Sequence, residues 1–358
     1  MTRAVNNSQL TTPKDYGWSA HFQAQLELDE IERAHCVRVL AVHRDALEVA
    51  GPDFQGRILP VVADDGDEEG AATIGDWLLI DAETYRQRRL LERRSVFKRK
   101  SAGTGRRVQL IAANVDTLLL VTSANQDFNP ARLERYLAVT LEAGATPVVV
   151  ITKADLADAA PCVDKARRLL TGLVVEAVDA RDQRSVSQLD PWIGAGQTIA
   201  FLGSSGVGKS TLVNTLAGQS LQHTQEIRSD DEKGKHTTTG RSLHRLANGA
   251  WLMDTPGMRE LQLVDSADGV DQMFEDVAVL AARCRFSDCK HGTEPGCAVR
   301  AAIEAGELDE ARLKRYQKLQ REERWNSESI ADSRARSKAF GKMARRVFEH
   351  KLKNREGF

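Results

Sequence analysis

The apolar positions along the chain follow one rhythm, then a second, then a third. Between residues 35 and 81 the apolar runs are short: Cys36–Val42, Ala46–Val49, Arg57–Val62 and Asp76–Ile80. They are interrupted by Gly51-Pro52, by the acidic turn Asp64-Asp65-Gly66-Asp67-Glu68-Glu69 and by Gly75. Short apolar runs separated by turn residues predict strand–turn–strand, and about five of them predict a small barrel. An OB-like barrel is the expected form, because it closes its edges within this length. From Val108 onward strand-like runs alternate with helical patterns: Thr117–Thr122, Ala131–Ala143, Pro147–Thr152, Cys162–Leu170, Leu173–Val178, Gln197–Leu202 and Lys209–Ala217. Strands spaced by helices predict a parallel sheet covered on both faces. After Asp271 the pattern is mostly helical, over Cys297–Ala305 and Asp309–Glu323, and runs into a long basic stretch from Ser327. The predicted organisation is multidomain: a polar leader over 1–34, the OB-like barrel over 35–102, an α/β domain over 103–268, and a mostly helical unit over 269–358 with a basic tail.

The α/β domain carries phosphate chemistry. Gly203-Ser204-Ser205-Gly206-Val207-Gly208-Lys209-Ser210-Thr211 fits G-x-x-x-x-G-K-[ST] and lies between an apolar strand and a helix, the context the motif requires. Its glycines let backbone N–H groups close around phosphate oxygens, and the helix N-terminus adds its dipole. Lys209 brings a positive charge to the β- and γ-phosphates, and Ser210 offers its hydroxyl to magnesium. Downstream, Trp251-Leu252-Met253-Asp254-Thr255-Pro256-Gly257 ends a short strand on an acid. Asp254 suits a magnesium role through water, and the Gly257 N–H suits sensing of the γ-phosphate. Between these motifs, Lys235-His236-Thr237-Thr238-Thr239-Gly240 lies in a polar stretch suited to a switch loop. Thr238 is the expected magnesium ligand among the three threonines.

A base-reading element needs a carboxylate for guanine N1–H and N2–H₂, a donor pair that adenine lacks. None follows Asp254. Before the phosphate loop, however, Thr152-Lys153-Ala154-Asp155 ends the strand Pro147–Ile151, with Thr where Asn is usual. Val178-Asp179-Ala180 ends a later strand and is a weaker candidate for backbone contact to the base. The motifs therefore run base element, second base element, phosphate loop, switch I, switch II. That is a guanine-nucleotide domain in permuted order, and its chain passes from switch II straight into the C-terminal unit.

Of five cysteines, three crowd into Cys284-x₄-Cys289-x-His291-x₅-Cys297. With the histidine they form a Cys₃His set suited to one structural zinc, since four protein ligands leave no open position. An odd cysteine count with one cluster points to metal binding in a reducing cytoplasm rather than to disulfides. Cys36 and Cys162 are expected to be ordinary buried residues. The N-terminus has no apolar signal segment, and no run of about 18 apolar residues predicts a membrane span. Net charge is −1, yet Arg86–Arg107 holds ten Lys/Arg against one acid, and Ala311–Phe358 holds fifteen against six. Two basic segments in a neutral chain suit an RNA or DNA partner.

Permuted motifs, Gly-Lys-His-Thr-Thr-Thr over 234–239, Asp-Thr-Pro-Gly-Met-Arg over 254–259 and the cysteine/histidine cluster together closely resemble the bacterial small-subunit-dependent GTPase A family (RsgA/YjeQ). The resemblance runs from about residue 35 to the end. It implies an OB domain, a circularly permuted P-loop GTPase domain and a C-terminal zinc domain. It also implies a cytoplasmic monomer that binds the small ribosomal subunit and its rRNA during late maturation, with hydrolysis stimulated there. By position it implies that Lys153 and Asp155 read guanine, that Gly203–Thr211 hold the phosphates, and that Cys284, Cys289, His291 and Cys297 hold zinc. Met258 follows Gly257 where ordinary GTPases carry a water-orienting Gln, so slow intrinsic hydrolysis is expected. His236, on the switch loop, is the candidate to position the water.

Overall fold

The short runs near the N-terminus fold as strands. The computed structural model describes residues 10, 12–61, 70–100, 108–125, 127–218, 241–254, 258, 261, 263 and 265–327. Its first five strands are β1 (Ala34–Val42), β2 (Leu47–Ala50), β3 (Gln55–Ile58), β4 (Trp77–Asp81) and β5 (Gln87–Leu90). They pair antiparallel in the order β3-β2-β1-β4-β5. Val37, Val39, Leu47, Val49, Leu78 and Ile80 recur at every second position and form one buried cluster with Ile58, the period of a half-buried sheet. β3 stops at Ile58 rather than running to Val62, because Pro60 has no N–H to give a ladder. Among the described residues no pairing joins β3 to β5, the contact that would close these strands into a barrel.

The first basic segment is not simply open surface. It contains β5 and a further strand, β6 (Val96–Lys100), which forms a separate hairpin with β7 (Val108–Ala113). Arg93 grips Asp76 with two bonds of 2.8 Å, Arg89 grips Glu30 at 2.7 Å, and Arg94 lies 3.1 Å from Asp116. The second segment is engaged in the same way, with Arg315 on Glu134 at 2.8 Å and Arg312 on Asp276 at 3.1 Å. Several charges that composition offers to a partner thus pin one element of the fold to another.

The leader is likewise structural where it is described. Tyr16 stacks on Trp251 at 5.9 Å, the Trp251 indole donates to the Asp15 carbonyl at 2.9 Å, and Phe22 packs on Trp77 at 5.8 Å. Arg38, on β1 and almost fully buried, donates to the carbonyl of Tyr16 and to the Thr198 hydroxyl, both at 2.6 Å. Burial lowers its pKa to about 10. Its reach is possible because Gly17 has no side chain; a Cβ there would sit 2.8 Å from the guanidinium.

The α/β unit contributes β8 (Thr117–Ser123), β9 (Thr146–Thr152), β10 (Val174–Ala177), β11 (Thr198–Leu202), β12 (Arg241–Arg245) and β13 (Trp251–Asp254). Their order is β10-β9-β8-β11-β13-β12, parallel except for β12. Leu118, Leu120, Val149, Ile151 and Ala200 enter one core cluster, while Leu119, Val121, Val148, Val150 and Ile199 enter another. Alternate residues are therefore buried on opposite faces, which is why these strands read as unbroken apolar runs. The free edge of β12 continues into β1, with Ala41 opposite Ser242 and Val42 opposite Arg241. The N-terminal strands and the α/β strands are thus parts of one mixed sheet.

Of the C-terminal helices, Ala267–Met273 and a helix over 310–327 dock on the helix Pro130–Glu142, while Glu275–Ala281 packs on Ala267–Met273 and on Ala298–Glu304. Met273, Phe274, Leu313 and Tyr316 share a core cluster with Leu133 and Leu137, and Arg135 meets Glu322 at 2.7 Å. Among the described residues no helix is long and apolar enough to cross a membrane.

Candidate nucleotide site and metal centre

Four sequence motifs emerge at the same end of the sheet. Thr152–Asp155 follows β9, Val178–Ala180 follows β10, the phosphate loop follows β11, and Asp254 ends β13. Because these strands are parallel, all four lie at their carboxyl ends, where open α/β sheets bind ligands. The permutation is visible in this order: β8, β9 and β10 come first in the chain but pack beside β11.

Two glycines of the phosphate loop are required by contact and conformation. A Cβ on Gly203 would lie 2.2 Å from the Val121 carbonyl of the neighbouring strand, and Gly208 holds a left-handed φ of +91° at the start of the helix Lys209–Ala217. Val207 between them is fully buried and anchors the loop. The Lys209 ammonium lies along the loop, donating to the Gly203 carbonyl at 2.7 Å and to that of Ser204. Ser204, Ser205, Gly206, Ser210 and Thr211 complete the turn; Ser205 and Gly206 are exposed, and Ser204, Ser210 and Thr211 half-buried. Ser210, in the first turn of the helix after the loop, and Asp254, at the end of β13 beside β11, carry hard oxygen donors of the type magnesium takes.

The base element is tied directly to that loop. The Thr152 side chain is completely buried, and its hydroxyl is directed at the carbonyls of Val207 (2.5 Å) and Thr122 (3.1 Å). This residue braces the phosphate loop. Lys153 takes a left-handed φ of +60° and donates to the Gly206 carbonyl at 3.0 Å. The second element is tied on as well, since the Thr215 hydroxyl of the phosphate-loop helix donates to the Ala180 carbonyl at 2.6 Å. Asp155, with 24% of its side chain exposed, accepts from Arg181 at 2.5 Å, and Arg181 also donates to Asp179 at 3.2 Å. Sequence reasoning missed Thr215 and Arg181. The only signal for Arg181 was its place just beyond the second base element.

The Thr152 brace carries an expected result. Thr152→Val keeps the shape but leaves two carbonyls without their shared donor, so GDP affinity should weaken roughly 5- to 10-fold, about the loss of one buried hydrogen bond. Calorimetric titration checks this, and unchanged affinity would show the brace to be idle. His236, Thr238 and Gly257 lie outside the described residues. Met258 is buried in the main core cluster.

In the C-terminal unit, the ligand atoms of Cys284, Cys289, His291 and Cys297 all lie within 4.8 Å of one another. Cys284 Sγ and Cys297 Sγ are 3.9 Å apart, and His291 Nδ1 is 3.6 and 3.5 Å from them. A tetrahedron built on zinc bond lengths has S···S edges of about 3.8 Å and S···N edges of about 3.5 Å. The donor set fits zinc in chemistry, and the edges among Cys284, His291 and Cys297 match its spacing. His291 reaches the cluster from a left-handed φ of +58°, and Glu294 orders that turn by accepting from the backbone N–H of Lys290 and Gly292. Cys36 stands apart from this centre, and burial pushes its thiol up to about 11, so it is an inert residue.

Residues 90–264 match the family model RsgA GTPase. The chain is 47% identical to the small ribosomal subunit biogenesis GTPase RsgA 2 of Vibrio vulnificus, over 98% of this chain and 99% of that one. It is 48% identical to the small ribosomal subunit biogenesis GTPase RsgA of Mesorhizobium japonicum, over 93% and 96%. Among solved structures it resembles YjeQ from Thermotoga maritima, with a TM-score of 0.60 and 23% identity over 81% of this chain and 98% of that one. It also resembles YloQ, described as a circularly permuted GTPase, with a TM-score of 0.54 and 22% identity over 81% and 95%. These two likenesses bear on the fold alone.

Proposed function

That the chain belongs to the RsgA GTPase family is the premise from which we propose its function in the cell. It is a GTP hydrolase, and it acts in biogenesis of the small ribosomal subunit. It binds that subunit and its rRNA late in maturation and converts GTP to GDP and phosphate, slowly alone and faster on the subunit. The observation that carries the reading is the bonding of Thr152 and Lys153 to the phosphate loop, which puts a guanine-type motif beside a phosphate cradle despite the permuted order.

In this reading Asp155 accepts from guanine N1–H and N2–H₂, and Lys153 flanks the base. The residues Gly203–Thr211 surround the phosphates, with the Lys209 charge on the β- and γ-oxygens. Magnesium bound to the nucleotide neutralises phosphate charge; Ser210, Thr238 and, through water, Asp254 would hold it. Gly257 N–H senses the γ-phosphate, and His236 orients the attacking water once the subunit orders its loop. Zinc held by Cys284, Cys289, His291 and Cys297 is structural. The N-terminal strands over 35–102 act as an OB-like unit, the GTPase domain spans 103–268, and the zinc-binding unit with its basic tail spans 269–358. The protein works as a cytoplasmic monomer without a membrane.

The test is single-turnover GTP hydrolysis with and without small subunits, paired with co-sedimentation against small and large subunits in each nucleotide state. Stimulation by small subunits alone is expected, and it should fall at least about 10-fold in His236→Ala, the low end for a positioned proton-transfer group. Equal stimulation by large subunits would sink the partner. A fully stimulated His236→Ala that binds normally would sink the role given to His236.

A further inference from the structure

The carboxylate assigned to guanine already has an intramolecular partner. Arg181 donates through one terminal nitrogen to Asp155 Oδ2 at 2.5 Å, and through Nε to Asp179 Oδ1 at 3.2 Å. One guanidinium thus bridges the two base elements, and 65% of its side chain is open to solvent. Asp179 holds its end firmly: its carboxylate also accepts the Arg181 backbone N–H at 3.0 Å, and its own N–H donates to the Ser185 hydroxyl at 2.9 Å. The contact to Asp155, though shorter, is a single bond made by the far end of a long, exposed side chain.

Guanine and Arg181 present the same chemistry to Asp155. Guanine would bring a planar pair of N–H donors to both carboxylate oxygens, and Arg181 brings one charged N–H to Oδ2, so both draw on that oxygen. An oxygen that accepts from both holds each less strongly than it would hold one alone. We propose that Arg181 is a positioning residue that competes with guanine for Asp155, yielding the carboxylate when the base arrives and retaking it as the base leaves. Asp179 is the anchor that keeps the guanidinium within reach in between. The arrangement lowers the cost of losing the base, since Asp155 is not left unpaired, and so speeds release of GDP. The inference rests on Asp155 as the guanine reader.

The experiment measures dissociation of GDP and XDP from the full-length protein by stopped flow, in wild type, Arg181→Gln, Arg181→Lys, Asp155→Asn and the double variant Asp155→Asn/Arg181→Gln. Arg181 is exposed, so its variants should fold normally. Arg181→Gln should release GDP roughly two- to five-fold more slowly, the range an exposed ion pair supports. Arg181→Lys, which keeps the charge, should stay within about two-fold of wild type by the same measure. Asp155→Asn should turn preference from GDP to XDP, because its amide can donate to the xanthine oxygen where guanine carries an amine. In that background Arg181→Gln should leave XDP release unchanged, since the contested carboxylate is gone. Release of GDP from Arg181→Gln as fast as wild type, or equal slowing in the Asp155→Asn background, overturns the competition while leaving the guanine reading intact. If Asp155→Asn does not alter the choice between GDP and XDP, both fall together.

Discussion

Lys209→Ala is expected to lower GTP hydrolysis by roughly 10²- to 10³-fold, the loss typical of removing one preorganised donor from developing charge. The ammonium carries the one positive charge in the Gly203–Thr211 sequence and lies along the carbonyls of Gly203 and Ser204. It can swing from those carbonyls to phosphate oxygens without moving the loop, which is fixed by Val207 in the core and by Thr152 behind it. Lys209→Arg should not restore the rate, because a planar fork does not replace a compact point charge in so tight a turn. Single-turnover hydrolysis at saturating GTP, with the thermal midpoint as a folding control, makes the measurement. A folded Lys209→Ala variant hydrolysing GTP within about five-fold of wild type, well under the expected loss, would remove the phosphate loop from the chemistry.

The second large effect concerns zinc. Cys297→Ser is expected to lose the single zinc per chain and to unfold the C-terminal unit locally, since structural zinc sites supply apparent folding energy on the order of 10 kcal/mol. Cys297 is both a ligand and the cap of the helix Ala298–Glu304, where its sulfur accepts the Arg300 N–H at 3.4 Å. Serine can keep the cap but not the soft thiolate. Metal analysis should show about one zinc in wild type and none in the variant. Hydrogen exchange should show protection lost over 275–305 and kept in the parallel sheet. Full zinc content in Cys297→Ser, or unchanged protection after its loss, would contradict a structural role.

Much of this was legible from local pattern. The parallel strands announced themselves because both their faces are buried, so Thr117–Ser123 and Thr146–Thr152 read as continuous apolar runs within a residue or so of their bounds. The phosphate loop was legible because its glycines answer a steric demand that few sequences meet by chance. What stayed hidden was long-range. The sequence shows Thr152 standing where Asn is usual, but only the folded chain shows its hydroxyl turned to Val207, 55 residues away. The arginines of the first basic segment looked like an offer to a polyanion, because Glu30, Asp76 and Asp116 come from distant parts of the sequence. The leader looked merely polar, since three aromatic residues scattered over Tyr16, Trp18 and Phe22 carry no periodicity until Trp77 and Trp251 receive them.

The meeting of β1 with β12 has a bearing on how the molecule can be cut. Were the chain shortened to begin after residue 100, the first residues of β12 would present bare amides and carbonyls to solvent, a template for sticking to a second copy. The N-terminal strands are thus a selvedge that keeps the nucleotide-binding fabric from fraying into aggregates, quite apart from anything they grasp on a ribosome.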